Sequence, residues 1–140
     1  MLTETELLNF VRQNVEMGVD GIKLVIDDIA DADFISELHH ELSEYDRIYN
    51  AADSLLEEIG GEKQDVKAAA KIAAHLSGKM KFMSGSTSKI AESMIQGSTM
   101  GTTKLIQHIN DYSGNEKVLK IAEDLRKTEE NNIENLKKFL

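Results

Sequence analysis

The stretch LLNFVRQNVEMGVDGIKLVIDDI, residues 7–29, carries the pattern that decides the fold. Its apolar residues recur at every third or fourth position, which places them on one face of an α-helix. The chain has no proline, so no helix is interrupted by one. The spacing predicts a first helix over residues 3–30, whose apolar face is formed by Leu7, Val11, Val15, Gly18, Ile22, Val25 and Ile29.

Further apolar stripes with the same spacing follow along the chain. Asp31 or Asp33 is a suitable cap for a second helix, and Gly60 ends that helix. The pattern resumes over residues 66–112, where the Ser- and Gly-containing segment 84–88 predicts a break or kink. The sequence does not decide whether these residues form one helix or two. The stripe of the last helix, after Gly114, consists of Val118, Ala122, Leu125, Glu129, Asn132 and Leu136.

The length of the chain and of these segments indicates how they pack. A chain of 140 residues has the usual size of one domain, so residues 1–140 are expected to form a single helical domain. Four segments of roughly 25 residues each would span about 40 Å at the rise of an α-helix. We therefore predict an all-α four-helix bundle of antiparallel helix pairs, with an extra helical crossover or a long kinked third helix.

Composition and charge exclude several classes of function. Without cysteine the chain has no thiolate metal site and no cysteine nucleophile. A net charge of −9 opposes binding to nucleic acid and to anionic membranes. The acidic N-terminus and the lack of an apolar run of about 20 residues favour a cytoplasmic protein without a membrane span. No Ser-His-Asp set or Gly-rich phosphate loop is discernible, which disfavours an enzyme.

Several polar residues share the inner faces of the predicted helices. A buried carboxylate is costly unless it is hydrogen-bonded, paired or bound to a metal. One hypothesis is a metal site with ligands Glu41, Glu44 and Glu129 and neutral donors such as Asn132. The alternative is a buried hydrogen-bond network in which the two inward glutamates contact Asn14, Tyr45, Ser98, Thr102 and Asn132.

Four stretches carry a resemblance to a known superfamily: residues 14–18 (NVEMG), 41–45 (ELSEY), 95–101 (IQGSTMG) and 129–132 (EENN). Their carboxylates and small residues, at the middle of four helices of equal length, resemble the ferritin-like superfamily and its small bacterial members of unassigned function. The resemblance implies a ferritin-like bundle.

The di-iron site of that superfamily takes one Glu from each of two helices and a Glu-x-x-His from each of the other two. This chain has Glu129-x-x-Asn132 and Glu41-x-x-Glu44 instead, and helical phase turns His40 of Glu37-x-x-His40 toward solvent. The expected function is therefore a non-catalytic binding or interaction protein without a cofactor, acting as a homodimer or with a protein partner. The alternative is a metal-binding or oxidase member that holds iron or manganese.

A second alternative rests on the segment AHLSGK, residues 74–79. It is similar to the phosphotransfer helix of histidine phosphotransfer domains, in which an exposed His accepts phosphate beside a Lys and a Gly. Here Gly78 and Lys79 stand in the reverse order. This similarity would make His75 the phosphate acceptor.

Overall fold

The structure, a computed structural model, describes residues 1–64 and 86–140, and in these ranges all regular secondary structure is helical. The all-α prediction is confirmed for this part of the chain. The predicted crossover and His75 lie outside the described residues. The helices are α1 (Glu4–Val25), α2 (Ala32–Ile59), α3 (Thr87–Asn110) and α4 (Glu116–Leu136), with short 3₁₀ turns at Ile26–Asp28 and Lys137–Phe139.

Three helix ends follow the capping residues that the sequence predicts. The carboxylate of Asp31 accepts hydrogen bonds from the first turn of α2, and the side chain of Ser86 caps α3 within the predicted break. Gly60 ends α2 with φ of 69°, a left-handed conformation that glycine adopts at little cost.

The end of α1 differs from the prediction. The α-helix stops at Val25 instead of residue 30, and a 3₁₀ turn over Ile26–Asp28 follows it. Ile29 is nevertheless buried in the core. Because the tighter turn still carries Ile29 to the inner side, the apolar spacing continues beyond the last α-helical residue.

The helix directions follow from the contacts at one end of the bundle. The short turn after α1 makes α1 and α2 antiparallel, so α2 ends beside the start of α1. The backbone N–H of Leu2 donates to the carbonyl oxygen of Asp111 at 3.4 Å, which places the end of α3 at the same end of the bundle. Hence α2 and α3 run in the same direction, and α2 ends and α3 begins at opposite ends of the bundle.

The apolar stripes meet in one core. α1 packs closely against α2, α3 against α4, and α4 also against α2 and α1. All six stripe positions predicted for α4 are buried, including the polar Glu129 and Asn132. Within the described ranges, no helix combines the length and hydrophobicity needed to cross a bilayer.

Candidate functional site

A group of polar side chains is buried halfway along the bundle, where a core is normally apolar. Glu41 is 1% exposed, Asn132 2%, Glu129 3% and Asn14 5%. Helical phase predicts the inward direction of all four. The central cluster, as we call it, adds to these four residues the buried Tyr45 and the half-buried Glu37 and Ser98.

Tyr45 and Glu129 form the hydrogen bond that joins α2 to α4 inside the core. The Tyr45 hydroxyl donates to Oε1 of Glu129 at 2.8 Å. Burial raises the pKa of Glu129 to about 7, although hydrogen bonding from Tyr45 and then Ser98 opposes the rise. Burial also raises the pKa of Tyr45, and the nearby Glu129 and Glu41 add to this rise. The pair therefore keeps the tyrosine protonated and lets the glutamate ionise near neutral pH.

Glu41 lies in the same core and interacts with a second carboxyl group on its own helix. The pKa of Glu41 is raised to about 9, mainly by burial and then by Glu37, one turn earlier, through its charge and a hydrogen bond. The charge of Glu129 acts in the same direction. At neutral pH Glu41 therefore keeps its proton.

The central cluster leaves buried polar atoms without hydrogen bonds. The predicted network forms only in part, because the Thr102 hydroxyl donates to the backbone oxygen of Ser98 at 2.7 Å instead of to a glutamate. Asn132 opposes the rise in the pKa of Tyr45, yet its Nδ2 atom has no hydrogen-bond partner. The unpaired atoms of the cluster are Asn14 Nδ2, Glu37 Oε2, Glu41 Oε2, Glu129 Oε2 and Asn132 Nδ2.

Two glycines admit the large polar side chains of the cluster. A Cβ at Gly18 would lie 2.7 Å from Cζ of Tyr45, and a Cβ at Gly101 would lie 2.7 Å from Oδ1 of Asn14. Real Cβ atoms do not approach other atoms so closely. Glycine at these two positions therefore makes room for Tyr45 and Asn14.

Glu44, the remaining predicted ligand, lies at the surface. Its carboxylate pairs with Arg47 at 2.9 Å, and Arg47 also binds both carboxylate oxygens of Asp124 on α4 at 2.6 and 3.0 Å. His39 and His40 are exposed. Among the described residues, no three His, Asp or Glu side chains are grouped closely enough to hold a metal ion. The residues therefore do not fit a di-iron set.

A second polar group lies toward the end of the bundle where α2 stops. The sequence pattern does not reveal it. Arg12 is 6% exposed and donates to Oδ1 of Asn9 at 3.0 Å and to the Tyr49 hydroxyl at 2.9 Å. Its Nε lies 3.4 Å from Asp53 Oδ1, but not in hydrogen-bonding geometry. Arg12 belongs to the polar part of the α1 pattern, and only its partners on α2 explain its burial.

Asn9 forms hydrogen bonds with the segment that follows α2. Its Nδ2 donates to the carbonyl oxygen of Glu62 at 2.8 Å, and its Oδ1 accepts from the backbone N–H of Gln64 at 3.1 Å. We expect Asn9→Ala to lower the free energy of unfolding by about 1–3 kcal/mol, because both backbone groups lose a partner. Urea unfolding followed by circular dichroism measures this change. The exposed Asn50→Ala is the control, and an equal effect of both variants would contradict the role of Asn9.

Comparisons of the chain with protein-family models, curated proteins and solved structures give no match. A function must therefore be argued from the geometry of the site. The central cluster is the feature that calls for a functional explanation, because it places carboxyl and amide groups without partners inside a core.

Proposed function

We propose that the chain is a non-catalytic binding protein, a ferritin-like helical bundle without a complete di-iron site, and that the central cluster is its binding centre. The observation that carries this proposal is the set of five unpaired buried atoms, contributed by α1, α2 and α4. Each buried polar group without a partner costs about 1–3 kcal/mol. Such a set inside a core is typical of a site that water, an ion or a ligand completes.

Two features support the ferritin-like part of the proposal. α2 and α3 run in the same direction, as they do in bundles in which one long crossover joins two antiparallel pairs. Buried carboxyl groups of α2 and α4 lie halfway along the bundle, where that superfamily holds its metals. Under this proposal the protein keeps the frame of the superfamily but lacks its di-iron ligands, because Asn132 stands where the superfamily has His and Glu44 pairs with Arg47 at the surface.

Self-association is the interaction that we propose for the outer face of α3. Met100 on that face is 60% exposed. No described atom lies within 4 Å of a Cβ built at Gly97, so this side of α3 has room for a neighbouring helix. A homodimer would cover both positions.

Metal binding is the second candidate. It is favoured by the three glutamate oxygens among the unpaired atoms, because carboxylates are the preferred ligands of hard cations such as manganese. Glu41 and Glu129 would be the main ligands and Glu37 would replace the surface residue Glu44, but these carboxylates would have to move closer together to hold an ion. Asn132 could contribute only its amide oxygen.

Elemental analysis and thermal melting separate the two candidates. If the protein binds a ligand other than a metal, we expect no iron or manganese in protein purified without an affinity tag. The melting temperature should then not change with Mn(II) or anaerobic Fe(II). Small polar compounds should raise the melting temperature, and Glu129→Gln should abolish that rise. A stoichiometric metal that raises the melting temperature and is lost in Glu41→Gln would select the second candidate. No effect of any compound or metal would contradict both.

A further inference from the structure

Among the residues that the structure describes, no cationic side chain pairs with three carboxyl groups of the central cluster. The ion pairs among residues 1–64 and 86–140 lie at the surface or around Arg12, and none of them includes Glu37, Glu41 or Glu129. Each of these three glutamates has a buried Oε2 that accepts no hydrogen bond of good geometry from the described residues, although Glu37 interacts with Glu41 and Ser98 with Glu129. Buried carboxyl groups are normally neutralised by a proton or paired with a positive charge. Glu41 keeps its proton at neutral pH, whereas the pKa of Glu129 is about 7, so a cation beside Glu129 would compensate the charge that this carboxylate gains.

The amide groups point to a ligand that also forms hydrogen bonds. Nδ2 atoms of Asn14 and Asn132 are unpaired, and both residues are at least nine-tenths buried. Asn132 also interacts with the Tyr45 hydroxyl and opposes the rise in its pKa. The site therefore offers acceptors on its glutamates and donors on its amides.

A protonated amine suits this arrangement better than a bare metal ion. A metal needs several oxygen ligands at roughly 2.0–2.6 Å around one point, and no three acidic or histidine side chains of the described residues are placed in this way. An ammonium group instead donates separate hydrogen bonds of about 2.7–2.9 Å, which can reach carboxylates farther apart. Oε1 of Glu129 already accepts from Tyr45, so only its second oxygen is open to a ligand.

We propose that the central cluster binds a compact protonated amine, whose N–H groups donate to Oε2 of Glu41 and Glu129, with Glu37 supplying further negative charge. This inference rests on the proposed function and names the ligand class of the same site. The amides of Asn14 and Asn132 then face the polar remainder of the ligand or a water molecule beside it.

Methylammonium chloride is the probe, with tetramethylammonium chloride as the matched cation that has no N–H group. Both are added to the full chain at equal ionic strength in an amine-free buffer, and the melting temperature is followed by circular dichroism. We expect methylammonium to raise the melting temperature in a saturable way, by about 8 °C at a hundredfold excess over its dissociation constant. Tetramethylammonium should have no such effect.

Three variants test the assignment to the cluster. Glu41→Gln and Glu129→Gln keep the shape of the side chain and should abolish the rise, whereas Glu44→Gln, on the same helix as Glu41 but at the surface, should retain it. Equal effects of the two cations, or no rise with methylammonium, would overturn the amine proposal. If metals or other polar compounds still raise the melting temperature, the proposed binding function holds and only the amine proposal fails. If no probe has an effect, both fail.

Discussion

Gly18→Ala is expected to lower the free energy of unfolding by about 1–3 kcal/mol, although alanine is the better helix former. The new Cβ would lie 2.7–2.9 Å from Cζ, Cε2 and the hydroxyl oxygen of Tyr45. The Tyr45 ring is fully enclosed by the core, and its hydroxyl is bonded to Glu129, so neither can move aside without loss. The clash should also weaken ligand binding at the central cluster.

Gly21→Ala is the matched control for this substitution. It lies in the same helix, less than one turn later, and no described atom lies within 4 Å of its built Cβ. Here the gain in helix propensity is unopposed, so stability should rise by up to about 1 kcal/mol. Urea unfolding of both variants gives the comparison. If Gly18→Ala were as stable as Gly21→Ala, the close packing of Tyr45 on α1 would be wrong.

The sequence predicts the faces of the helices better than their ends. The buried stripe of α4 follows directly from a spacing of three and four residues, and it includes Glu129 and Asn132. The early end of α1 escapes prediction because the 3₁₀ turn keeps Ile29 in phase with the helix. Capping is readable from Asp31 and Gly60, whose side-chain chemistry and backbone freedom act locally.

The polar contacts of the site could be predicted only in part. Helical phase indicates that Glu41 and Tyr45 point inward, but it does not specify the rotamers that join Tyr45 to Glu129. Thr102 also points inward, yet its hydroxyl bonds the backbone of its own helix, a local option always open to threonine. Glu37 is one turn before Glu41, and this spacing is the signal that could have revealed their interaction.

The burial of Arg12 could not be predicted from α1 alone. Its partners Tyr49 and Asp53 are one turn apart on α2, and they become neighbours only after the two helices pack. A single amphipathic pattern assigns a charged residue to solvent because it contains no information about a facing helix. Long-range polar pairs of this kind can be identified only from the packed structure.

The buried glutamates should make the protein less stable as the pH rises. A carboxyl group whose pKa is higher in the folded state binds its proton more tightly there, so its contribution is complete below the unfolded pKa and is lost as the pH rises through the folded value. For Glu129 this window extends from about 4.5 to about 7, which corresponds to a loss of about 3 kcal/mol. For Glu41 the loss continues to about pH 9.

Glu129→Gln and Glu41→Gln should therefore stabilise the protein at pH 8 and flatten its pH dependence. Glutamine preserves the shape and an acceptor for Tyr45 but carries no charge that burial can penalise. Urea unfolding between pH 5 and pH 9 in amine-free buffers measures the effect, with Glu44→Gln as the control because that carboxylate pairs with Arg47 at the surface. Parallel pH curves for wild type and both core variants would contradict the raised pKa values of these glutamates, unless a bound cation already neutralises the carboxylates. Dialysis at low pH would remove that cation. If the wild-type stability curve becomes steep with pH only after this treatment, the bound cation is the reason that the pH dependence was missing.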